Sequence, residues 1–260
     1  MNCLNKELRL KIVDMICKSG EGHIPSSFSI VDILNFLYSE ILKFDLKNLN
    51  SVKRDFFILS KGHGCAALYV VLNKFKIISD KDISNYGLNN GILGGHPDMT
   101  KVPGVEASTG SLGHGFPTAV GISLGLKIKK MNNRVFVLLG DGECHEGTVW
   151  ETANIARNQN LNNIIAIVDL NKSAAQLMPF DNLKQKWISF GWDVFEADGH
   201  SNISLKKTFR IIFKSKSKNP KIILASTIKG KGVPFLEGHG KWHHKIPNQD
   251  EYLEIKKKLS

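Results

Sequence analysis

The chain has 260 residues, of which 42% are hydrophobic and 23% are charged, a balance typical of globular rather than disordered proteins. The formal net charge of +11 could favour nucleic acid or another polyanion. However, many lysines lie in stretches predicted to be exposed helix faces, and no basic segment is interleaved with aromatic residues. We therefore expect no nucleic acid partner, and we attribute the charge to a lysine-rich surface that attracts phosphorylated ligands or an acidic partner.

The four cysteines are scattered and form no CxxC pair, which argues against a disulfide framework or a zinc ribbon. A reducing cytoplasm fits this cysteine usage. The N-terminal segment has no long apolar run and no small-residue cleavage site, and the chain has no apolar run of about eighteen residues. We therefore predict a cytoplasmic protein without an export signal or a membrane span.

The predicted elements begin with helices and continue as an alternation of strands and helices. Apolar residues at helical spacing, or a run rich in glycine and alanine, predict the first helices at 4–20, 29–42, 64–75 and 113–130. Short apolar runs rich in β-branched residues predict strands at 134–139, 162–170, 192–197 and 221–228. Further helical patterns separate these strands at 148–160, 181–191 and 204–215.

The alternation of these elements predicts the fold class. Continuous apolar strands suit a parallel sheet that is covered on both faces, and strand–helix–strand units imply right-handed crossovers. We therefore predict an α/β fold, namely a doubly wound, mostly parallel sheet with helices on both faces. No repeat or low-complexity linker interrupts the sequence, so we expect a single domain over residues 1–260, with a C-terminal extension from about residue 229.

An acid between two glycines follows the predicted strand at 134–139. Gly140 and Gly142 permit a sharp turn and close approach of a bulky anion, and the next helix N-terminus favours phosphate. Asp141 would repel a bare phosphate, but not if it holds a divalent cation that bridges to the phosphate oxygens. Asn171 ends the next predicted strand and adds an amide oxygen, and the Ser173 carbonyl can complete the ligand set. Alternatively, Asp141 only caps a helix or stabilises a turn.

The spacing from Gly140-Asp141-Gly142 to Asn171 resembles the thiamine diphosphate signature. The wider sequence resembles transketolases, particularly those split into two chains. Similar segments follow in the family's order along almost the whole chain: "GEGHIPSSFSIVDILNFLY", "RDFFILSKGHGCAALYVVL", "GGHPDMTKVPGVEASTGSLGHG", "GDGECHEGTVWETANIA", "FGWDVFEADGH" and "TIKGKGVPFLEGHGKWHHKIPN". The resemblance implies the thiamine diphosphate-binding fold, in its diphosphate-binding domain.

The resemblance also implies which residues bind the cofactor and its metal. Asp141, Asn171 and the Ser173 carbonyl would hold Mg²⁺ or Ca²⁺ against the diphosphate of thiamine diphosphate. The residues that would contact the cofactor, directly or through the metal, are His63, Gly110, Ser111, Leu112, Gly140, Asp141, Gly142, Glu143, Glu146 and Asn171. Among these, Glu146 matches an acid that lies at the subunit contact, near the glutamate that activates the cofactor.

Several histidines would line the substrate channel if the resemblance holds. His23 and His96 are implied as catalytic residues, together with one of His243 and His244. Spacing to Pro247 favours His244. Imidazoles with a pKa near ~6.5 suit proton transfer to and from sugar hydroxyls. The segment "HGKWHH" at 239–244 could also suggest a metal cluster, but it lacks partner ligands at zinc spacings.

A transketolase needs a second domain, which binds the aminopyrimidine and carries the activating glutamate. The sequence ends about where the diphosphate-binding domain of the family ends. We therefore expect a partner chain, the C-terminal subunit with the pyrimidine-binding domain, and an α2β2 assembly.

Two segments depart from the family pattern. The loop after Asn171 is several residues shorter than usual, which makes the Ser173 ligand less secure than the other two. The usual His-Pro-Gly-Gly pattern becomes His23-Ile24-Pro25-Ser26-Ser27. These serines could bind a different donor sugar, or they could cap a helix that begins near Ile30.

The leading functional hypothesis is the N-terminal subunit of a split transketolase. Such an enzyme would transfer a two-carbon ketol unit from a ketose, phosphorylated or nucleotide-linked, to an aldehyde acceptor. The alternatives are the α subunit of a 2-oxo acid dehydrogenase or decarboxylase, a deoxyxylulose phosphate synthase-like enzyme, and an inactive cofactor-binding scaffold. The histidine set and the "HGKWHHKIPN" segment favour the transketolase.

Overall fold

The computed structural model describes residues 3–175, 178–179, 182–238, 240 and 242–260, with side chains from residue 5 onward. The helices are α1 Cys3–Ser19, α2 Ile24–Phe36, α3 Cys65–Lys74, α4 Asp80–Ser84, α5 Gly115–Ile128, α6 Gly147–Asn158, α7 Leu183–Ser189, α8 Asn202–Lys214 and α9 Gln249–Leu259. The strands are β1 Phe56–Leu59, β2 Val135–Gly140, β3 Ile164–Leu170, β4 Asp193–Asp198 and β5 Lys221–Ser226.

The strands form one parallel sheet in the order β1-β2-β3-β5-β4. Since all strands run in the same direction, their carboxyl ends meet at one edge of the sheet. Gly140 at the end of β2 lies opposite Asp169 of β3, and Asp169 lies opposite Ala225 of β5. The register therefore brings the motifs that follow β2, β3 and β5 together at that edge.

Helices cover both faces of the sheet, as the sequence predicted. Alternate residues of β3 point to opposite faces, so Ile165 and Ile167 belong to one core cluster and Ile164 and Val168 to the other. The first core lies against α1, α2, α3, α8 and α9, and the second lies against α5, α6 and α7. This two-sided burial explains the apolar runs of β2, β3 and β5, and the predicted doubly wound α/β fold is confirmed.

Several local features differ from the sequence prediction, among them the short helix α4, which was not predicted. Strand β1 was not predicted, because Phe56–Leu59 is a four-residue run in which Ile58 is the one β-branched residue. Helix α2 begins at Ile24, five residues before the predicted start at residue 29, with Pro25 in its first turn, where the missing N–H of proline costs nothing. The expectation that Ser26 and Ser27 cap a helix near Ile30 is therefore wrong, because both serines lie buried inside α2.

The chain after β5 crosses the carboxyl edge of the sheet and then returns to the first core. Asn248 and Glu251 form a reciprocal capping box at the start of α9. Ile255 and Leu259 of α9 are buried in the first core cluster, and α9 packs against α1. Both ends of the segment at 227–248 are thereby anchored. Among the described residues, no helix has the length and apolar character needed to cross a bilayer.

Candidate functional site

Asp141 and Asn171 follow neighbouring strands at the carboxyl edge of the sheet. Asp141 is 4% exposed, and its Oδ1 accepts hydrogen bonds from the Gly142 N–H at 2.7 Å and the Ser173 hydroxyl at 3.3 Å. Burial and the nearby Asp169 raise the pKa of Asp141, whereas the Lys61 ammonium opposes this rise. A buried carboxylate beside an amide oxygen is the donor set that a hard dication such as Mg²⁺ prefers. These residues therefore fit the expected metal.

Ser173 contacts both candidate metal ligands. Its backbone N–H lies 2.8 Å from the Asn171 Oδ1 and 3.2 Å from the Asp141 Oδ2. The adjacent Lys172 has a positive φ of 59°, which turns the chain sharply at this point. The structure thus brings Ser173 to the predicted metal site, and the ligand role of its carbonyl stays a prediction. Residues 176–177 and 180–181 of the shortened loop lie outside the described residues.

Asp169 explains why this strand ends on Asp-x-Asn. The carboxylate is fully buried, and its Oδ2 accepts hydrogen bonds from the Asn171 amide at 2.7 Å and the Lys61 ammonium at 2.5 Å. Burial would raise the pKa of Asp169, but the Lys61 charge and several hydrogen bonds hold it below its ordinary value. Because the Nδ2 group of Asn171 donates a hydrogen bond to Asp169, the amide oxygen of Asn171 faces Asp141 and Ser173. Asp169 therefore orients a candidate metal ligand.

Two buried lysines at this edge were missed by the sequence analysis. Lys61 and Lys229 are 7% and 5% exposed. Burial lowers the pKa of Lys229, as does the charge of Lys61, whereas Asp141 and Asp169 oppose this. Lys61 donates to the Ser26 carbonyl, the Ser29 hydroxyl and Asp169, so its charge is paired within the fold. The Lys229 ammonium is the group of the two that fits an anionic ligand such as a diphosphate. The sequence signals of both lysines were present in "SKGHG" and "TIKGKGV", but single lysines in a lysine-rich chain resemble surface residues.

The loop that carries Gly110, Ser111 and Leu112 packs directly on the segment around His63. A Cβ atom at Gly62 would lie 2.9 Å from the backbone of Gly110, closer than real Cβ atoms approach. The His96 ring also lies against Gly110, 3.0 Å from where a Cβ would stand. The glycines therefore permit the two loops to meet, and they bring the predicted cofactor-contacting residues to the same edge as Asp141.

Two acids of the GDGECHEG motif have different environments. Glu143 is 1% exposed, and its carboxylate accepts hydrogen bonds from the Ser60 hydroxyl at 2.5 Å and the backbone N–H groups of Gly113 and Gly140. It points inward and links three loops, and its predicted cofactor contact stays a prediction. Glu146 precedes α6 and is exposed. Such exposure is expected in the isolated chain for an acid that contacts a partner subunit.

Five histidines form a cluster beside the metal-ligand residues. The ring centroid of His23 lies 4.7 Å from those of His63 and His244, 5.4 Å from that of His243 and 6.5 Å from that of His96. The cluster therefore includes every histidine that the sequence analysis assigned to the channel. Both His243 and His244 contact His23, so the preference for His244 stays a prediction.

The two inner histidines are held in the neutral form. Burial, followed by the neighbouring imidazoles, lowers the pKa of His23 to about 3. Burial and the imidazoles of His96 and His243 lower the pKa of His63 to about 4. Within the described part of the chain, His23 Nδ1 and Ser27 Oγ are buried without a hydrogen-bond partner. Such atoms fit a polar ligand that supplies the missing partners.

Comparisons with known proteins show the family of the chain. Residues 2–260 match the family model described as transketolase, thiamine diphosphate binding domain. One subunit of the apulose-4-phosphate transketolase of Phocaeicola vulgatus is 36% identical over 97% of this chain and 91% of its own length. A 6-deoxy-6-sulfo-D-fructose transketolase subunit of a Clostridium species is 36% identical over 89% of this chain and 86% of its own length.

The fold also matches solved structures. The transketolase of Campylobacter jejuni superposes with a TM-score of 0.91 at 29% identity. The match covers 100% of this chain but 43% of that protein. The chain thus spans less than half the length of this solved relative.

Proposed function

Because this chain belongs to the transketolase family of transferases, as its thiamine diphosphate-binding domain, we propose that it is the N-terminal subunit of a split transketolase. Residues 1–260 form one diphosphate-binding domain in this proposal, and the C-terminal subunit supplies the pyrimidine-binding domain in an α2β2 assembly. Relatives of nearly the same length that are named as transketolase subunits support a two-chain enzyme. We also propose that the enzyme works in the cytoplasm.

The cofactor proposal depends on the oxygen ligands at the ends of β2 and β3. Asp141, Asn171 and Ser173 hold Mg²⁺ or Ca²⁺, and the cation neutralises the diphosphate that Asp141 alone would repel. Lys229 adds positive charge at the same edge, whereas the charge of Lys61 is paired with Asp169. The single observation that carries the proposal is the buried Asp141 carboxylate beside an amide whose oxygen is oriented by Asp169.

The chemistry divides between the cofactor and this chain. Thiamine diphosphate, when bound, stabilises the carbanion that forms as the carbon–carbon bond of the ketose breaks. His23 and His63 are neutral at physiological pH because of their lowered pKa values, so a ring nitrogen of each can accept a hydrogen bond from a sugar hydroxyl. His96 and His244 lie at the exposed side of the cluster, where they orient the incoming sugar.

The donor in this proposal is a ketose that carries an anionic group, such as a phosphate or a nucleotide. The names of two relatives, apulose-4-phosphate and 6-deoxy-6-sulfo-D-fructose transketolase subunits, support anionic substrates. The net charge of +11 also favours the approach of an anion.

The metal site is tested by Asp141→Ala. In the assembled enzyme with Mg²⁺, this change removes the charged ligand, and we expect the affinity for thiamine diphosphate to fall by about 100-fold or more. Isothermal titration calorimetry measures this affinity. The matched control is Asp45→Ala, which removes an exposed acid outside the site and should leave the affinity unchanged. Unchanged affinity in Asp141→Ala would contradict the proposed metal site.

The role of the histidines is tested separately by His96→Ala. We expect turnover to fall by about 10²- to 10⁴-fold, as for the loss of a group that transfers or holds a proton. Affinity for thiamine diphosphate should stay within about twofold, because His96 is exposed and is not among the predicted cofactor contacts. Steady-state kinetics and calorimetry on the same preparation separate the two effects, and an equal loss of both would refute the substrate role.

A further inference from the structure

Three histidines of the cluster have the geometry of a metal-ligand set. His23, His63 and His243 each offer a ring nitrogen, and these nitrogens lie within 4.8 Å of one another. We propose that these three residues, the His₃ group, form a transition-metal site that binds Zn²⁺. The proposal goes beyond the proposed function, and metal binding to the chain does not depend on transferase activity.

The sequence alone does not indicate this site. The segment at 239–244 lacks partner ligands at zinc spacings, but the fold brings His23 from the start of α2 and His63 from the turn after β1 beside His243. Ligands that come from three distant segments cannot be found by local spacing. The fold therefore brings to His243 the two further histidine ligands that the segment at 239–244 lacks.

The chemistry of the ligands separates the His₃ group from the Mg²⁺ site. Imidazole nitrogens favour zinc and its transition-metal neighbours, whereas carboxylate and amide oxygens favour Mg²⁺ and Ca²⁺. Three protein ligands with a fourth position open to water or substrate are the usual composition of an accessible zinc site. An excess of Mg²⁺ should therefore fill the Asp141–Asn171 site and leave the His₃ group free.

The distances require a small inward movement of the rings. With Zn–N distances of about 2.0–2.1 Å, the ligand nitrogens of a tetrahedral centre lie about 3.4 Å apart. His243 is exposed and His23 Nδ1 has no hydrogen-bond partner among the described residues, so rotation of these side chains breaks few contacts. The neighbouring Lys229 ammonium, 3.0 Å from His243 Nδ1, opposes the cation. Lys229→Met should therefore tighten metal binding.

Cobalt spectroscopy tests the site directly. Co²⁺ added to the full chain, prepared without an affinity tag, should bind at one equivalent per chain. The bound ion should give the intense visible absorption that is typical of four-coordinate Co²⁺. Zn²⁺ should abolish this absorption, whereas excess Mg²⁺ should not. Weak six-coordinate absorption, or bands that Mg²⁺ removes, would overturn the proposal.

Substitutions identify the ligands. His243→Ala should weaken Co²⁺ binding at least tenfold, because it removes one of three ligands, and its exposed position makes misfolding a minor concern. His114→Ala removes an exposed histidine outside the cluster and should leave binding unchanged, with thermal melts confirming that both variants fold. Unchanged binding in His243→Ala would overturn the assignment.

A separate assay uses the assembled enzyme and rests on the proposed function. There, Zn²⁺ should compete with the sugar. Because Co²⁺ binding is measured on the isolated chain, failure of the enzyme assay would count against the proposed function and not against the metal site.

Discussion

At the scale of single residues, the site depends on buried groups that orient their neighbours. Asp169 contacts Asn171, Lys61 and Ser29 at once, so one carboxylate fixes both an amide and an ammonium group. The placement of Asp141 and Asn171 after neighbouring strands could be predicted from the sequence, because glycines and strand ends mark both positions. Lys61 and Lys229 could not, because their burial results from contacts between segments far apart in the chain.

The lowered pKa of His23 leads to a prediction about acid stability. The unfolded chain takes up a proton at His23 near its ordinary pKa of about 6.5, whereas the folded chain does so only near a pKa of about 3. The unfolded state therefore binds more protons between these values, so stability is complete above about pH 6.5 and falls as the pH decreases. We expect the thermal midpoint to fall less between pH 7.5 and pH 5 in His23→Gln than in the unmodified chain.

Differential scanning fluorimetry at the two pH values measures this difference. His114→Gln, which changes an exposed imidazole, should keep the full acid sensitivity. If His23→Gln and the unmodified chain lost the same number of degrees, His23 would not be held neutral by the fold.

At the scale of elements, one buried ion pair joins several parts of the first core. Arg9 of α1 is fully buried and forms a bidentate pair with Asp32 of α2, at 2.7 Å and 3.0 Å. The same guanidinium donates to the carbonyl of Lys231 at 2.9 Å, and His200 contacts Asp32 at 2.6 Å. The pair therefore ties two helices to the loop before α8 and to the segment that carries Lys229.

Arg9→Met should be strongly destabilising. It leaves the Asp32 carboxylate buried without its guanidinium partner, and breaking a buried ion pair costs about 3–5 kcal/mol in the free energy of unfolding. Lys11→Met is the matched control on the same helix, because its ion pair with Asp80 is exposed and should contribute less than about 1 kcal/mol. Urea denaturation compares the two, and a similar small loss in both variants would contradict the role of Arg9.

Prediction from the sequence was also uneven at the scale of elements. Strands β2, β3 and β5 were predicted because burial on both faces produces continuous apolar runs. Strand β4 was also predicted, although it lies at the edge of the sheet and most of its residues are half-buried or exposed. Strand β1 was missed because it is short, and the start of α2 was placed too late. The start of α2 carries His23, so the error concerned an element that positions the site.

At the scale of the whole molecule, the site lies at the carboxyl edge of the sheet. Under the proposed function, a second chain is needed to complete this site. The chain covers 43% of the Campylobacter transketolase, and Glu146 is exposed at the end of the GDGECHEG motif. The sequence indicated a partner through its resemblance to split transketolases. The partner's identity could not be predicted, because its surface is not encoded in this chain.

We expect the purified chain alone to show little transferase activity and a mixture with its C-terminal subunit to be active. The neighbouring reading frame is the first candidate for that subunit, and a coupled assay with an anionic ketose measures turnover. Glu146→Ala should weaken the recovery of activity, whereas Glu151→Ala, an exposed acid on α6, should not. Robust turnover by the single chain would refute the split-enzyme proposal.

The contact between Gly62 and Gly110 has a consequence for sequence variation. Since a single methyl group at Gly62 would overlap the backbone of Gly110, any larger residue at Gly62 requires the loop around Gly110 to move. Libraries that aim to alter sugar preference should therefore hold both glycines fixed and randomise the rim of the channel instead.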